Sequence, residues 1–125
     1  MTETDFLQEL RRLCSDIEKP WLEHLEFWEG DEPGIFNEIS VIVHYVINKL
    51  EAKDTVEFQP VFDLVERGVN SKNRNVSELA VTGFLEGILF VGSHKDLRPE
   101  LFECWLGPSS IKAIEDLEIF FSNGT

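Results

Sequence analysis

A chain of 125 residues, 42 % hydrophobic and 11 % aromatic, has one domain's length and enough apolar material for a core of its own. Its 24 Asp and Glu stand against 11 Lys and Arg, and a formal net charge of −13 repels phosphates and anionic lipid, which argues against direct nucleic-acid or membrane binding and favours a basic partner. Cys14 and Cys104 are too few for a disulfide framework and have no second Cys or His at zinc-ligand spacing, so both read as reduced core thiols.

The N-terminal MTETDFLQEL has neither a basic nor an apolar targeting region, which reads as a cytoplasmic chain. From Phe6 to Ile17, the residues Phe6, Leu7, Leu10, Leu13, Cys14 and Ile17 recur at helical spacing opposite Glu9, Arg12 and Asp16. Pro20 interrupts that pattern and starts a second helix bearing Trp21, Leu22, Leu25 and Trp28, which Gly30 ends. In PGIFNEISVIVHYVINKLEAK the β-branched run Ile39 to Ile47 favours a strand, but Ile35, Ile39, Ile42, Val43, Val46, Ile47 and Leu50 follow a helical face. The expectation is a mostly buried central helix with Pro33 in its first turn and Asp31 and Glu32 at its N-terminus; a strand is the competing reading.

Phe58, Val61, Phe62, Val65 and Val69 mark a fourth helix, started or interrupted by Pro60. A fifth begins at NVSE, with Asn75 as cap and Glu78 reaching back. Its apolar set, Val76, Leu79, Ala80, Phe84, Ile88 and Val91, shares a face with Gly83 and Gly87, which permit close approach of a neighbouring helix. The longest apolar run, Gly83 to Gly92, is broken by Glu86 and falls short of the roughly 20 residues of a membrane span. Pro99 starts a short sixth helix through Leu101, Phe102, Trp105 and Leu106, stopped by Gly107 and Pro108; SSIKAIEDLEIFF makes a seventh, capped by Ser109 or Ser110. The sum is an all-α single domain over residues 1–125, of about seven short helices in an irregular bundle or a small stack of helical hairpins.

Nucleotide-loop, zinc-protease, nucleophile-elbow and calcium-loop motifs are all absent. His24, His44 and His94 lack a second ligand at helical spacing, so no metal or cofactor is expected, and His44 reads as a hydrogen-bonded core residue. Glu86 interrupts FLEGILF, yet Glu78 and Thr82 precede it at four-residue intervals, and the three form a polar stripe facing water or a partner. Glu115, Asp116 and Glu118 read as a solvated face. Without a catalytic constellation the chain reads as a non-enzyme.

Between Pro20 and Asn48 there is no Lys or Arg, while Glu23, Glu26, Glu29, Asp31, Glu32 and Glu38 crowd around Phe27 and Trp28. The helix dipole accounts for Asp31 and Glu32 but not for Glu23, Glu26 and Glu29. Charges that steer a partner, beside an aromatic anchor, have the composition of an electrostatic interface. Glu23, Glu26, Trp28, Glu29, Asp31 and Glu32 are therefore the first candidates for partner binding, with Glu78, Thr82 and Glu86 second. The plainer alternative is a solvated loop with Trp28 turned inward.

The stretch ELAVTGFLEGILF, followed by LRPELFECWLGPSSIKAIEDLE, resembles the C-terminal half of small bacterial immunity proteins encoded beside polymorphic or contact-dependent toxins, with Phe84, Leu85 and Glu86 and then Leu106, Gly107 and Pro108 as the matching residues. The resemblance implies a monomeric cytoplasmic inhibitor that covers the active site of a cognate toxin domain, a basic nuclease with RNase ahead of DNase, by presenting carboxylates where phosphates would lie. Two alternatives stand beside it: an acidic helical adaptor or scaffold module binding a basic peptide or protein, and a small enzyme using Glu86 with His44 or His94.

Overall fold

The computed structural model describes residues 1–27 and 34–123. Helix α1 (Glu3–Leu13) starts at a capping box: Thr2 Oγ1 accepts from the Asp5 amide at 3.1 Å and the Asp5 carboxylate accepts from the Thr2 amide at 3.0 Å. It buries Phe6, Leu7 and Leu10. Helix α2 (Glu18–Phe27) begins two residues before Pro20, which falls in the first turn, where a missing amide proton costs little. Trp21 is its buried residue, under the Arg11 guanidinium at 4.4 Å, while Leu22 and Leu25, read from the sequence as an inward face, are exposed.

Helix α3 (Ile35–Glu51) is helix and not strand, and it buries Ile39, Ile42, Val43, Tyr45, Val46 and Ile47. Its cap is Gly34; Pro33, Asp31 and Glu32, expected at its start, lie outside the described residues. His44 is exposed, a correction to its core assignment: even a central helix keeps one strip outward, and the step of about 100° from Val43 brings His44 onto it. Helix α4 (Phe58–Val69) takes Pro60 in its first turn and buries Phe58, Val61, Phe62, Leu64 and Val65.

Helix α5 (Arg74–Glu78) is capped by Asn73, whose side chain accepts from the Asn75 amide at 3.0 Å; Asn75 is not the cap, and Glu78 pairs with Arg74 at 3.6 Å instead of reaching back. The helix continues through a π-helical segment, Leu79–Leu85, into α6 (Glu86–Ser93). By length and composition the continuous Arg74–Ser93 helix is apolar and long enough to cross a membrane, which counting from Gly83 alone had missed. In this fold its Val76, Leu79, Ala80, Phe84, Leu85 and Ile88 are core residues. A 3₁₀ turn, Pro99–Phe102, and helix α7 (Pro108–Asn123) complete the chain.

The helices pack as an irregular all-α bundle in one domain: α3 lies against the π-helical segment and α6, and α4 against α1, the π-helical segment and α7. Where this helix crosses α3, a Cβ on Gly83 would lie 3.0 Å from Ile39 Cγ2 and one on Gly87 2.9 Å from Val43 Cγ2, so both glycines admit α3 as their spacing suggests. Phe62 sits among Phe84 and Phe102, each 5.7 Å away between ring centroids, and Trp105 lies 4.9 Å from Phe58. Phe102 takes the core position beyond Pro99, which leaves Cys104 exposed while Cys14 is buried; only Cys14 is a core thiol.

Neither Ser109 nor Ser110 caps α7. With Pro108 as the first helical residue, the cap position belongs to Gly107, which has no side chain, and Glu66 from α4 supplies the missing acceptor. Its carboxylate accepts from the Ser109 amide at 3.0 Å, the Ser110 amide at 2.8 Å and the Ser110 hydroxyl at 2.9 Å. A Cβ on Gly107 would lie 2.4 Å from Glu66 Cδ, so the absent side chain makes room for the substitute cap.

Candidate partner-binding face

Glu23 and Glu26 are exposed on the last turns of α2, next to Phe27, which is 82 % exposed. The other first candidates, Trp28, Glu29, Asp31 and Glu32, lie outside the described residues. The second set divides. Thr82 and Glu86 line one groove, of about 610 Å³, with Gly87, Leu89, Phe90 and Ser93, whereas Glu78 does not line it and is paired with Arg74.

Two further grooves flank the outer side of α3. One, of about 590 Å³, lies between α2 and α3 and is lined by Glu23, His24, Val41, His44 and Asn48 among others; the second, of about 370 Å³, lies between α3 and α6. His44 lines both, so it sits on the ridge that separates them. Gly87 and Phe90 border both the α3–α6 groove and the Thr82–Glu86 groove, which makes Phe90, 65 % exposed, a second ridge. His94 packs on the Phe90 ring at 4.6 Å, and its Nδ1 lies 2.9 Å from the Phe90 carbonyl oxygen. Phe36 on α3 is a third large ring on the surface, 46 % exposed.

Electrostatics set this side apart. Most of α2 and α3 and all of α6 fall in Pro20 to Asn48 and Asn75 to His94, the two longest stretches of the sequence without Lys or Arg, and α3 packs against both α2 and α6. Two cations at its edge are engaged: Lys49 pairs with Asp16 at 2.6 Å and Asp54 at 3.1 Å, and Lys95 pairs with Glu51 at 2.7 Å and reaches Asn48 at 3.3 Å. The sequence reading named only the first of these stretches, because nothing local shows that the second packs beside it. Phe90 did carry a signal: it follows Glu86 by four residues and so shares its outward side.

The side chains nearest to acid–base chemistry have structural duties. Tyr45 donates to Glu57 at 2.5 Å and accepts from the Asp16 amide at 3.3 Å, and Glu57 also accepts from the Ser15 amide at 2.9 Å, which ties α3 to the turns before α2 and α4. Burial, then the Glu57 hydrogen bond, pushes the Tyr45 phenol up to about 12. Burial likewise pushes the Cys14 thiol up to about 12, with Glu57 adding to it, which keeps the thiol protonated. Glu86 lines one groove while His44 and His94 line another, and no hydrogen bond joins Glu86 to either histidine among the described residues. Among those residues no three His, Cys, Asp or Glu side chains form a group that could hold a metal ion.

A family model described as a domain of unknown function, DUF7674, matches residues 7–122. No curated protein and no solved structure matches the chain.

Proposed function

We propose that this chain, which belongs to the DUF7674 family, is a non-catalytic inhibitor of the immunity type, covering the basic active site of a cognate toxin domain, an RNase ahead of a DNase, in the cytoplasm of the cell that makes both. One observation carries the reading. The fold packs α2 and α6, drawn from the two longest cation-free stretches of the chain, on either side of α3, and leaves Phe36 on α3, Phe90 on α6 and Phe27 at the end of α2 exposed. Acids spread only for solubility need no large exposed rings beside them, whereas an interface uses both: the field accelerates encounter with a basic surface, and the rings hold the complex once water is expelled. The resemblance of Glu78 to Glu118 to immunity proteins supports the same reading.

The test is affinity capture of the tagged chain from its native cells at low and high salt, with mass spectrometry of what is bound. A single stoichiometric partner with a basic domain that kills cells when expressed alone supports the proposal. Many weak partners lost at moderate salt, or a non-toxic basic partner held with micromolar affinity, overturns it in favour of the adaptor reading. With the partner in hand, Glu23→Lys with Glu26→Lys slows association, and Phe90→Ala speeds dissociation.

A further inference from the structure

Glu57, Glu66 and Glu86 are all half-buried, yet they differ in what they accept. Glu57 and Glu66 each receive hydrogen bonds from amides and hydroxyls of their own chain. Glu86 receives none among the described residues, and it is the one charged residue between Leu79 and Ser93. A carboxylate that meets no donor of its own chain keeps its lone pairs for an incoming cation.

The surroundings of Glu86 narrow the kind of cation. Phe90 lies one turn along the same helix and borders the same groove with most of its ring exposed. His94 packs on that ring and contacts the Phe90 carbonyl, so the ring is held in place before any partner arrives. Gly87 adds no side chain to the groove. At its end, Ser93 Oγ donates to the Phe90 carbonyl at 2.7 Å and keeps its lone pairs for an incoming donor; Thr82 places a second hydroxyl at the other end. A carboxylate, an exposed aromatic face and two hydroxyl acceptors along an open slot complement a flat cation with several N–H donors. A guanidinium meets all three, through paired hydrogen bonds to the carboxylate and stacking on the ring, where an ammonium meets them only as a point charge.

We infer that the Thr82–Glu86–Phe90 groove is an arginine-recognition slot, which a side chain of the basic partner enters with its guanidinium paired to Glu86 and stacked on Phe90. This rests on the inhibitor reading for the identity of the partner, but the slot's preference is a property of the isolated chain. The test is NMR of the isotope-labelled full chain titrated with N-acetyl-arginine methylamide, N-acetyl-lysine methylamide and N-acetyl-norleucine methylamide. The slot predicts saturable shifts at the amides of Thr82, Glu86, Gly87 and Phe90, at several-fold lower concentration for arginine than for lysine and absent for norleucine. Glu86→Gln and Phe90→Ala each weaken arginine binding about tenfold, while Glu115→Gln, on the solvated side of α7, leaves it unchanged.

Equal shifts for arginine and lysine, shifts spread over the acidic surface, or insensitivity to Glu86→Gln overturn the slot and show attraction by net charge alone. The two proposals fail separately. A captured toxin whose binding is lost in the Glu23→Lys, Glu26→Lys variant but indifferent to Glu86→Gln leaves the inhibitor reading standing without the slot. Selective arginine binding with no basic toxin captured does the reverse.

Discussion

Replacing Glu66 by Ala tests whether α7 is held by a borrowed cap. The carboxylate accepts from two amides and one hydroxyl at 2.8 to 3.0 Å, and Ser110 is fully buried, so water does not readily replace the lost acceptor. Loss of an N-cap side chain costs about 0.5–2 kcal/mol, and each buried donor left unmet costs about 1–3 kcal/mol; with partial relaxation the total is about 3 kcal/mol. In a domain of this size that lowers Tm by about 10 °C. Urea denaturation followed by helical circular dichroism measures it, with the slope unchanged if the bundle still unfolds as one unit. Gly107→Ala brings a Cβ within 2.5 Å of the same carboxylate and should cost nearly as much alone, but little in the Glu66→Ala background, since the collision partner is gone. Strict additivity of the two changes, or a loss below about 0.5 kcal/mol for Glu66→Ala, refutes the borrowed cap.

The same carboxyl makes a prediction in pH. Burial raises its pKa, but the hydrogen bonds from Ser110 and Ser109 outweigh that and hold it below the ordinary 4.5, so the stabilisation is whole above pH 4.5 and fades as the pH falls through the depressed value. The gap in stability between the wild type and Glu66→Gln should therefore close on acidification. Tyr45 is the single tyrosine, so absorbance at the tyrosinate band isolates it; the midpoint is expected at about 12 against an ordinary 10.0, and Glu57→Gln lowers it. Because the folded value is the higher one, its contribution is intact below pH 10 and is lost as the pH rises through about 12. A disulfide reagent at neutral pH should titrate Cys104 at once and Cys14 only at the rate of unfolding; immediate reaction at both contradicts the burial of Cys14. Lys53 carries φ 60° just beyond α3, and Lys53→Gly should raise stability by about 0.5–1 kcal/mol in the same urea assay.

The features read correctly from sequence are those that repeat along one element. The apolar face from Ile35 to Leu50 was regular enough to outweigh the β-branched composition of α3, and Gly83 and Gly87 announced a close crossing by sharing the apolar side of their helix. What escaped depends on partners distant in sequence. The cap of α7 comes from Glu66, and no local rule connects that residue to Gly107, Ser109 and Ser110. Leu22 and Leu25 fit a helical period yet stay nearly half exposed, while among the described residues α2 packs through Trp21 and its α3 side. The candidate site shows the same split: Glu23, Glu26, Thr82 and Glu86 could be nominated one stretch at a time, but the adjoining grooves that His44 and Phe90 separate follow from packing against α3.

The π-helical segment makes the Arg74–Ser93 helix a joint between two phases. Its first turns are set by Val76 against the α1 and α4 side of the core, and its last turns by Gly87 and Gly92 under α3 and the following loop. A straight α-helix of this length could satisfy one of these settings and not the other, since about 100° per residue leaves no slack to absorb a mismatch. The wider turn supplies the slack, and it places the adjustment beside Thr82 and Glu86. Shortening the chain by one residue between Leu79 and Leu85 would tighten the helix to a single phase and turn Thr82 relative to Glu86. A length change there would redraw the binding face while the core residues on either side kept their identities.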